Sequence, residues 1–151
     1  MSNYKTRKEF IERTKSILAH CENTEYEKTA FLNCCMGLLV APEQWEKNNE
    51  PQIQGFVDFD NWGIDICKII NNTPMRGAEH SIENIAYHFR NCLCHFLFDI
   101  NGSNTEKINK IKIIDRTADR SKETFNMSID FSDFRKFVLK YAEEKLLLLK
   151  S

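Results

Sequence analysis

Residues 30–40 are the stretch that most constrains how this chain of 151 residues can fold. The stretch reads AFLNCCMGLLV and would be apolar nearly all round a helix, and Pro42 ends it. A helix without a polar face must be covered on every side, so it lies at the centre of a helical bundle. The sequence therefore predicts a fold that is mostly all-α.

Amphipathic patterns on both sides of this stretch supply the other helices. Apolar residues recur at helical spacing in four further segments, which are residues 5–20, about 61–70, about 81–98 and 132–149. Ser81 is the predicted N-cap of the fourth helix. Residues 43–59 are polar and contain Pro51 and Gly55, so they form a long loop. The prediction is a bundle of about five helices.

A different period appears before the last helix. Phe125, Met127, Ile129 and Phe131 alternate with polar residues, which is typical of a half-buried strand, and residues 108–114 are its predicted partner. We predict a small β-hairpin inserted at about residues 106–130. A lone hairpin is only marginally stable, so it must pack on the helices. The length fits a single domain over residues 1–151.

Composition narrows the class of protein. Hydrophobic residues make up 42% and charged residues 28%, as in ordinary soluble domains, and the formal charge of -1 gives no global attraction to nucleic acid or to an anionic membrane. A polar start and the lack of an apolar run of about 20 residues predict a cytoplasmic protein that does not span a membrane. Its six cysteines are then reduced thiols, most of them small buried hydrophobes, without a zinc-site spacing.

The fourth predicted helix carries its polar residues in stripes. Steps of four, three and four align Asn84, His88, Asn91 and His95 on one face, and a second stripe beside it holds Glu83, Tyr87 and Arg90. Arg90 and His95 lie about 140° apart and about one and a half turns along the axis, so both could reach one groove. Asn91 is one turn before His95, and its amide could orient the imidazole. A solvated helix face is the plain alternative.

The segment Arg90–His95 resembles the motif of the HEPN family (higher eukaryotes and prokaryotes nucleotide-binding), with the family's usual Asn after the Arg. Residues 31–42 are similar to the second helix of a plasmid-borne branch of that family. The resemblance implies a homodimer in which the Arg and His of both chains line one cleft. It also implies a metal-independent endoribonuclease of a toxin, abortive-infection or other antiviral defence system.

The resemblance assigns catalytic roles to Arg90, Asn91 and His95. His95 would transfer protons, because an imidazole can take or give one near neutral pH. Arg90 would stabilise the charge on the phosphate, and Asn91 would hold the ring or contact the phosphate. No metal or other cofactor is required. Glu83, Tyr87 and His88 could extend the site, although a surface or packing role is the alternative for each.

RNA is the predicted partner, together with an antitoxin or a defence protein. Some branches are controlled by a nucleotidyltransferase that modifies a Tyr two residues after the His; Leu97 stands there, which argues against that route. Basic residues on and around the hairpin form a candidate RNA-binding arm or, alternatively, a solvated edge that prevents aggregation. They are Lys107, Lys110, Lys112, Arg116, Arg120 and Lys122.

Two other functions stay open. The chain could be a non-catalytic HEPN module that binds RNA, a nucleotide or a protein partner. It could also be a regulatory helical protein whose polar stripe is a protein interface. The remaining histidines, His20 and His80, lie near predicted helix ends and carry no predicted role.

Overall fold

The computed structural model describes residues 2–21, 27–40, 53, 58–95, 98–101 and 110–150. The chain divides into two compact units, one of residues 1–53 with 138–151 and the other of residues 54–137. The expectation that residues 1–151 form a single domain stays a prediction.

The first unit contains α1 (Ser2–Cys21) and α2 (Glu27–Cys35), and α2 continues as a π-helix over Met36–Val40. The apolar stretch is buried as expected at Phe31, Leu38 and Leu39. Thr14 of α1 packs on Gly37, where an added Cβ would come within 2.9 Å of the threonine methyl group. A small residue is therefore required at this point of the stretch, because interiors are close-packed.

The second unit is built on an antiparallel sheet with strand order β1-β4-β3-β2. The strands are β1 (Ile69–Asn72), β2 (Phe98–Asn101), β3 (Lys110–Arg116) and β4 (Glu123–Asp130). Its helix α3 (Ile82–Cys94) covers the sheet face that carries Phe125, and α4 (Phe131–Lys150) starts directly after β4. Phe89 of α3 contacts Phe125, Phe134 and Phe137, with ring centroids 5.0–5.9 Å apart.

The mostly helical fold with a hairpin before the last helix is confirmed. Strands β3 and β4 form that hairpin, and Ile111, Ile113, Phe125, Met127 and Ile129 face inward as their alternation predicts. Among the residues described, no helix is both long and apolar enough to cross a lipid bilayer.

The sequence interpretation was wrong over residues 61–70 and at the end of α3. Residues 59–62 and 66–68 are short 3-10 helices that Asp58 and Asp65 cap, and Gly63 between them has φ +74°. Gly63 ends the first of these helices, because its left-handed backbone conformation does not continue a helix. Glycine adopts this conformation without the strain that a side chain would cause. The β-branched residues that follow then pair with β4 as strand β1. The described part of the chain holds four α-helices.

Helix α3 ends at Cys94, four residues earlier than expected, because Phe98–Asn101 pairs with β3 as strand β2. In the long predicted loop, residues 43–52 and 54–57 lie outside the described residues, and so does the insertion segment 102–109.

Candidate active site

Helix α3 begins at a side-chain cap and ends at the C-cap His95. Ser81 accepts a hydrogen bond from the Asn84 N–H at 3.1 Å, which confirms it as the N-cap. At the other end His95 is the C-cap, and its N–H donates to the Asn91 carbonyl oxygen at 3.0 Å. The predicted motif therefore lies on the last turn of a well-defined helix.

The polar stripe is not a solvated helix face, because its first two residues, Asn84 and His88, are both 0% exposed. The Asn84 side-chain oxygen accepts from the backbone N–H groups of Met75 (2.8 Å) and Arg76 (3.0 Å). Its amide donates to Asn72 Oδ1 at 2.7 Å and to the carbonyl oxygens of Thr73 and Glu79. One side chain thus fixes the loop between β1 and α3.

His88 has both ring nitrogens engaged by the protein. Its Nδ1 lies 2.7 Å from Asp115 Oδ2, and its Nε2 lies 2.9 Å from the Thr73 carbonyl oxygen. A carbonyl oxygen can only accept, so Nε2 carries a hydrogen and has no lone pair for a substrate proton. The ring also stacks on Phe125 with centroids 4.8 Å apart. His88 resembles half of a catalytic dyad but has the contacts of a structural residue, which favours the packing alternative.

Asn91 also points to Asp115, with Nδ2 donating to Oδ2 at 3.2 Å. The expectation that this amide orients the His95 ring was therefore wrong. The reason is that a buried carboxylate attracts every donor within reach. The contact of Asn91 with His95 is the backbone hydrogen bond of the last helical turn, in which the Asn91 carbonyl oxygen accepts the His95 N–H.

Arg90 is only 7% exposed, and its guanidinium carbon lies 5.2 Å from the centroid of the Tyr87 ring. The guanidinium of Arg76 lies at the same distance from that ring. Cation–π contacts of this kind fix a planar guanidinium without using all of its donors. Glu83, in the same stripe, is also buried, whereas Tyr87 is half-buried.

His95 differs from the rest of the stripe because it is exposed. Its ring makes no hydrogen bond or ion pair with any residue in the described part of the chain. An exposed imidazole on a helix end can exchange protons with a bound molecule at neutral pH.

Cys92 of the motif is a poor candidate for a nucleophile. All six cysteines are free; Cys35 and Cys92 are buried, Cys67 is exposed and the other three are half-buried, so the expectation that most are buried was wrong. Burial, and after it the charge of Asp115, raises the pKa of the Cys92 thiol well above its usual range. A thiol that stays protonated is a poor nucleophile.

In the described ranges, no group of three or more His, Cys, Asp or Glu side chains could hold a metal ion.

The candidate RNA-binding residues separate into a row and a turn. Lys110, Lys112 and Arg116 are exposed on the outer face of β3, where alternate residues lie about 6–7 Å apart. Arg120 and Lys122 are exposed in the turn between β3 and β4. Lys107 lies outside the described residues. No ion pair joins any of the described five to another described residue.

Asp115, which holds the network together, is the residue that the sequence reasoning missed. The sequence does contain a sign that Asp115 is buried. It follows Ile111 and Ile113 at alternate positions of β3 and therefore lies on the same, buried face of the strand. A carboxylate in phase with a buried face requires a partner.

The chain has a mostly helical fold with a small antiparallel sheet that contacts the motif helix. The chain belongs to the HEPN family, since the family model described as HEPN pEK499 p136 matches residues 1–146. Neither a curated protein nor a solved structure matches the chain significantly.

The Asn84 contacts yield a prediction about stability. Asn84→Ala removes the acceptor of the Met75 and Arg76 N–H groups and leaves the buried Asn72 Oδ1 without its donor, so the free energy of unfolding should fall by about 2–4 kcal/mol. Urea unfolding of the purified variant measures this fall. Asn33→Ala, at an exposed position of α2, is the matched control and should change stability by less than about 1 kcal/mol. Equal unfolding midpoints for the two variants would contradict the role given to Asn84.

Proposed function

We propose that this HEPN domain is a metal-independent endoribonuclease in which His95 performs the proton transfers and Arg90 stabilises the phosphate. The exposure of His95 carries the proposal. The buried residues of its stripe, Asn84 and His88, and the Asn91 side chain beside them, bond to the protein itself. His95 is the group of the stripe that a substrate can contact.

The reaction needs only groups of the motif. A ribose 2′-hydroxyl gives its proton to an imidazole, and its oxygen bonds to the adjacent phosphorus. The bond from phosphorus to the 5′-oxygen breaks, and that oxygen takes up a proton. The products are a 2′,3′-cyclic phosphate and a 5′-hydroxyl, and an imidazole is a side chain that can take part in both transfers.

Arg90 supports this chemistry by being fixed before the substrate arrives. Its guanidinium rests against Tyr87 and is mostly desolvated, so charge that develops on a phosphate next to it would meet a preorganised cation. Such a cation is worth more at low dielectric than in water.

One chain provides half of the site. A single His95 cannot be the base and the acid of one turnover, and a second copy of the chain would supply the other imidazole. The proposal therefore includes a homodimer with both α3 helices at a shared cleft.

A toxin or phage-defence context with an antitoxin or defence partner fits an RNase that has to be restrained. A cytoplasmic location fits an RNA substrate.

A non-catalytic HEPN module is the second candidate. It is favoured by the burial of Arg90 and by the commitment of Asn91 to Asp115, because both residues then serve the fold. Such a module would bind RNA, a nucleotide or a protein and would leave RNA intact.

Substitution of His95 distinguishes the endoribonuclease from the non-catalytic module. His95→Ala should lower the rate of RNA cleavage by about 10²- to 10⁴-fold, since it removes the general acid and base. His20→Ala changes an exposed histidine of α1 and should leave the rate unchanged. The rates are measured on purified protein in EDTA, after the melting temperatures of both variants have been compared.

The same variant tests the shared site. An excess of His95→Ala, co-refolded with the wild type, should lower cleavage beyond the effect of dilution, because mixed dimers lack one imidazole. An additive result would place the whole site in one chain, and a wild type that cleaves no RNA would favour the binding module.

A separate prediction concerns the row on β3. Replacing Lys110, Lys112 and Arg116 by Ala should weaken RNA binding and reduce the slope of log K against log salt by roughly 0.7 per lost phosphate contact. Fluorescence anisotropy with single-stranded RNA at several salt concentrations gives this slope. Lys136→Ala is the control on α4. An unchanged slope would mean that the row is only a solvated sheet face.

A further inference from the structure

Asp115 brings the hairpin into contact with the motif helix. It lies on β3, is 2% exposed, and accepts hydrogen bonds at both oxygens. Oδ2 accepts from His88 and Asn91 of α3, and Oδ1 accepts from the Arg116 N–H at 2.9 Å. Two residues of the motif helix, one turn apart, therefore share one carboxylate oxygen.

A buried carboxyl group needs hydrogen-bond partners at its oxygens, because burial removes its contact with water. His88 is one partner, since its Nδ1 shares a hydrogen with Oδ2 at 2.7 Å while its Nε2 donates to the Thr73 carbonyl oxygen. Such hydrogen bonds are stronger in the protein interior than in water. Asn91 thereby receives a fixed anchor.

Asn91 connects Asp115 to the end of the helix by two hydrogen bonds. Its side chain is held by Asp115, and its carbonyl oxygen accepts the His95 N–H. The last turn of a helix otherwise frays, since its carbonyl groups lack partners within the helix. The chain of contacts runs from the hairpin, through Asp115 and Asn91, to the backbone of His95.

We infer that Asp115 is the positioning residue of the motif, and that the hairpin holds His95 in place through Asn91. Asp115 does not touch substrate. Its effect on cleavage rests on the proposed function, but its effect on the helix end does not. The β-hairpin therefore contributes to the site by positioning the end of helix α3.

The test compares Asp115→Asn with Asp119→Asn. Asp119 lies in the turn of the same hairpin, where bonds from Thr117 and Ser121 lower the pKa of its carboxyl to about 2, and it has no contact with α3 among the described hydrogen bonds. Asp115→Asn should speed hydrogen exchange of the His95 amide by on the order of 10-fold and leave the Asn84 amide unchanged. Asp119→Asn should change neither amide.

Cleavage gives the second readout. Asp115→Asn should lower kcat by about 10- to 100-fold with KM nearly unchanged, because it displaces His95 without removing an RNA contact. In an Asn91→Ala background the same substitution should have no further effect on kcat. Additive losses would show that Asp115 acts independently of Asn91 and would overturn the inference.

A third variant keeps the test open if Asp115→Asn does not fold. His88→Phe with Asp115→Leu replaces the pair by apolar side chains of similar size, a change that buried ion pairs often tolerate. It should fold and still show fast exchange at His95, since Asn91 has lost its acceptor. Slow exchange at His95 in either variant overturns the inference. A wild type that cleaves no RNA instead overturns the proposed function, while the exchange result still decides the role of Asp115.

Discussion

The contact between His88 and Asp115 is the interaction on which the second unit of this protein depends. Both side chains are almost fully buried, and their atoms Nδ1 and Oδ2 are 2.7 Å apart. Removing one partner of such a pair strands the other in a medium of low dielectric, which costs several kcal/mol. The pair therefore joins helix α3 to strand β3 and to the carbonyl of Thr73.

This pair also explains how polar residues are distributed along the motif helix. Asn84 and His88 are used to fix the loop before the helix and the strand beside it, and Asn91 completes the set. Arg90 is held against Tyr87. His95 is the exposed residue of the stripe, whereas Asn91 is half-buried. A row of exposed basic residues lies on the outer face of β3, although the formal charge of the chain is -1. A site with one reactive imidazole per chain leads directly to the proposed dimer.

Local signals made much of this predictable from sequence. The Ser81 cap, the alternation in β4 and the apolar stretch of α2 each depend on neighbouring residues, and the structure has all three. The motif helix was found for the same reason. Strands β1 and β2 were missed because a four-residue strand has little pattern of its own and exists through pairing with distant residues.

The roles inside the site were harder to predict than its location. A polar stripe on a helix has the same appearance whether water or protein covers it, and here residues 72–80 and β3 cover its first half. Asp115 is 27 residues from His88 and 24 from Asn91, so no local spacing could join them. Only the phase of Asp115 on its strand hinted that the carboxylate is buried.

The central claim is that this HEPN domain cleaves RNA with His95 as its proton-transfer group and without a metal. The most direct measurement is the chemistry of the new ends after purified protein has been incubated with RNA in EDTA. The account predicts a 2′,3′-cyclic phosphate and a 5′-hydroxyl at every cut, because the attacking group is the neighbouring 2′-hydroxyl. A 3′-hydroxyl with a 5′-phosphate, or intact RNA, would contradict it.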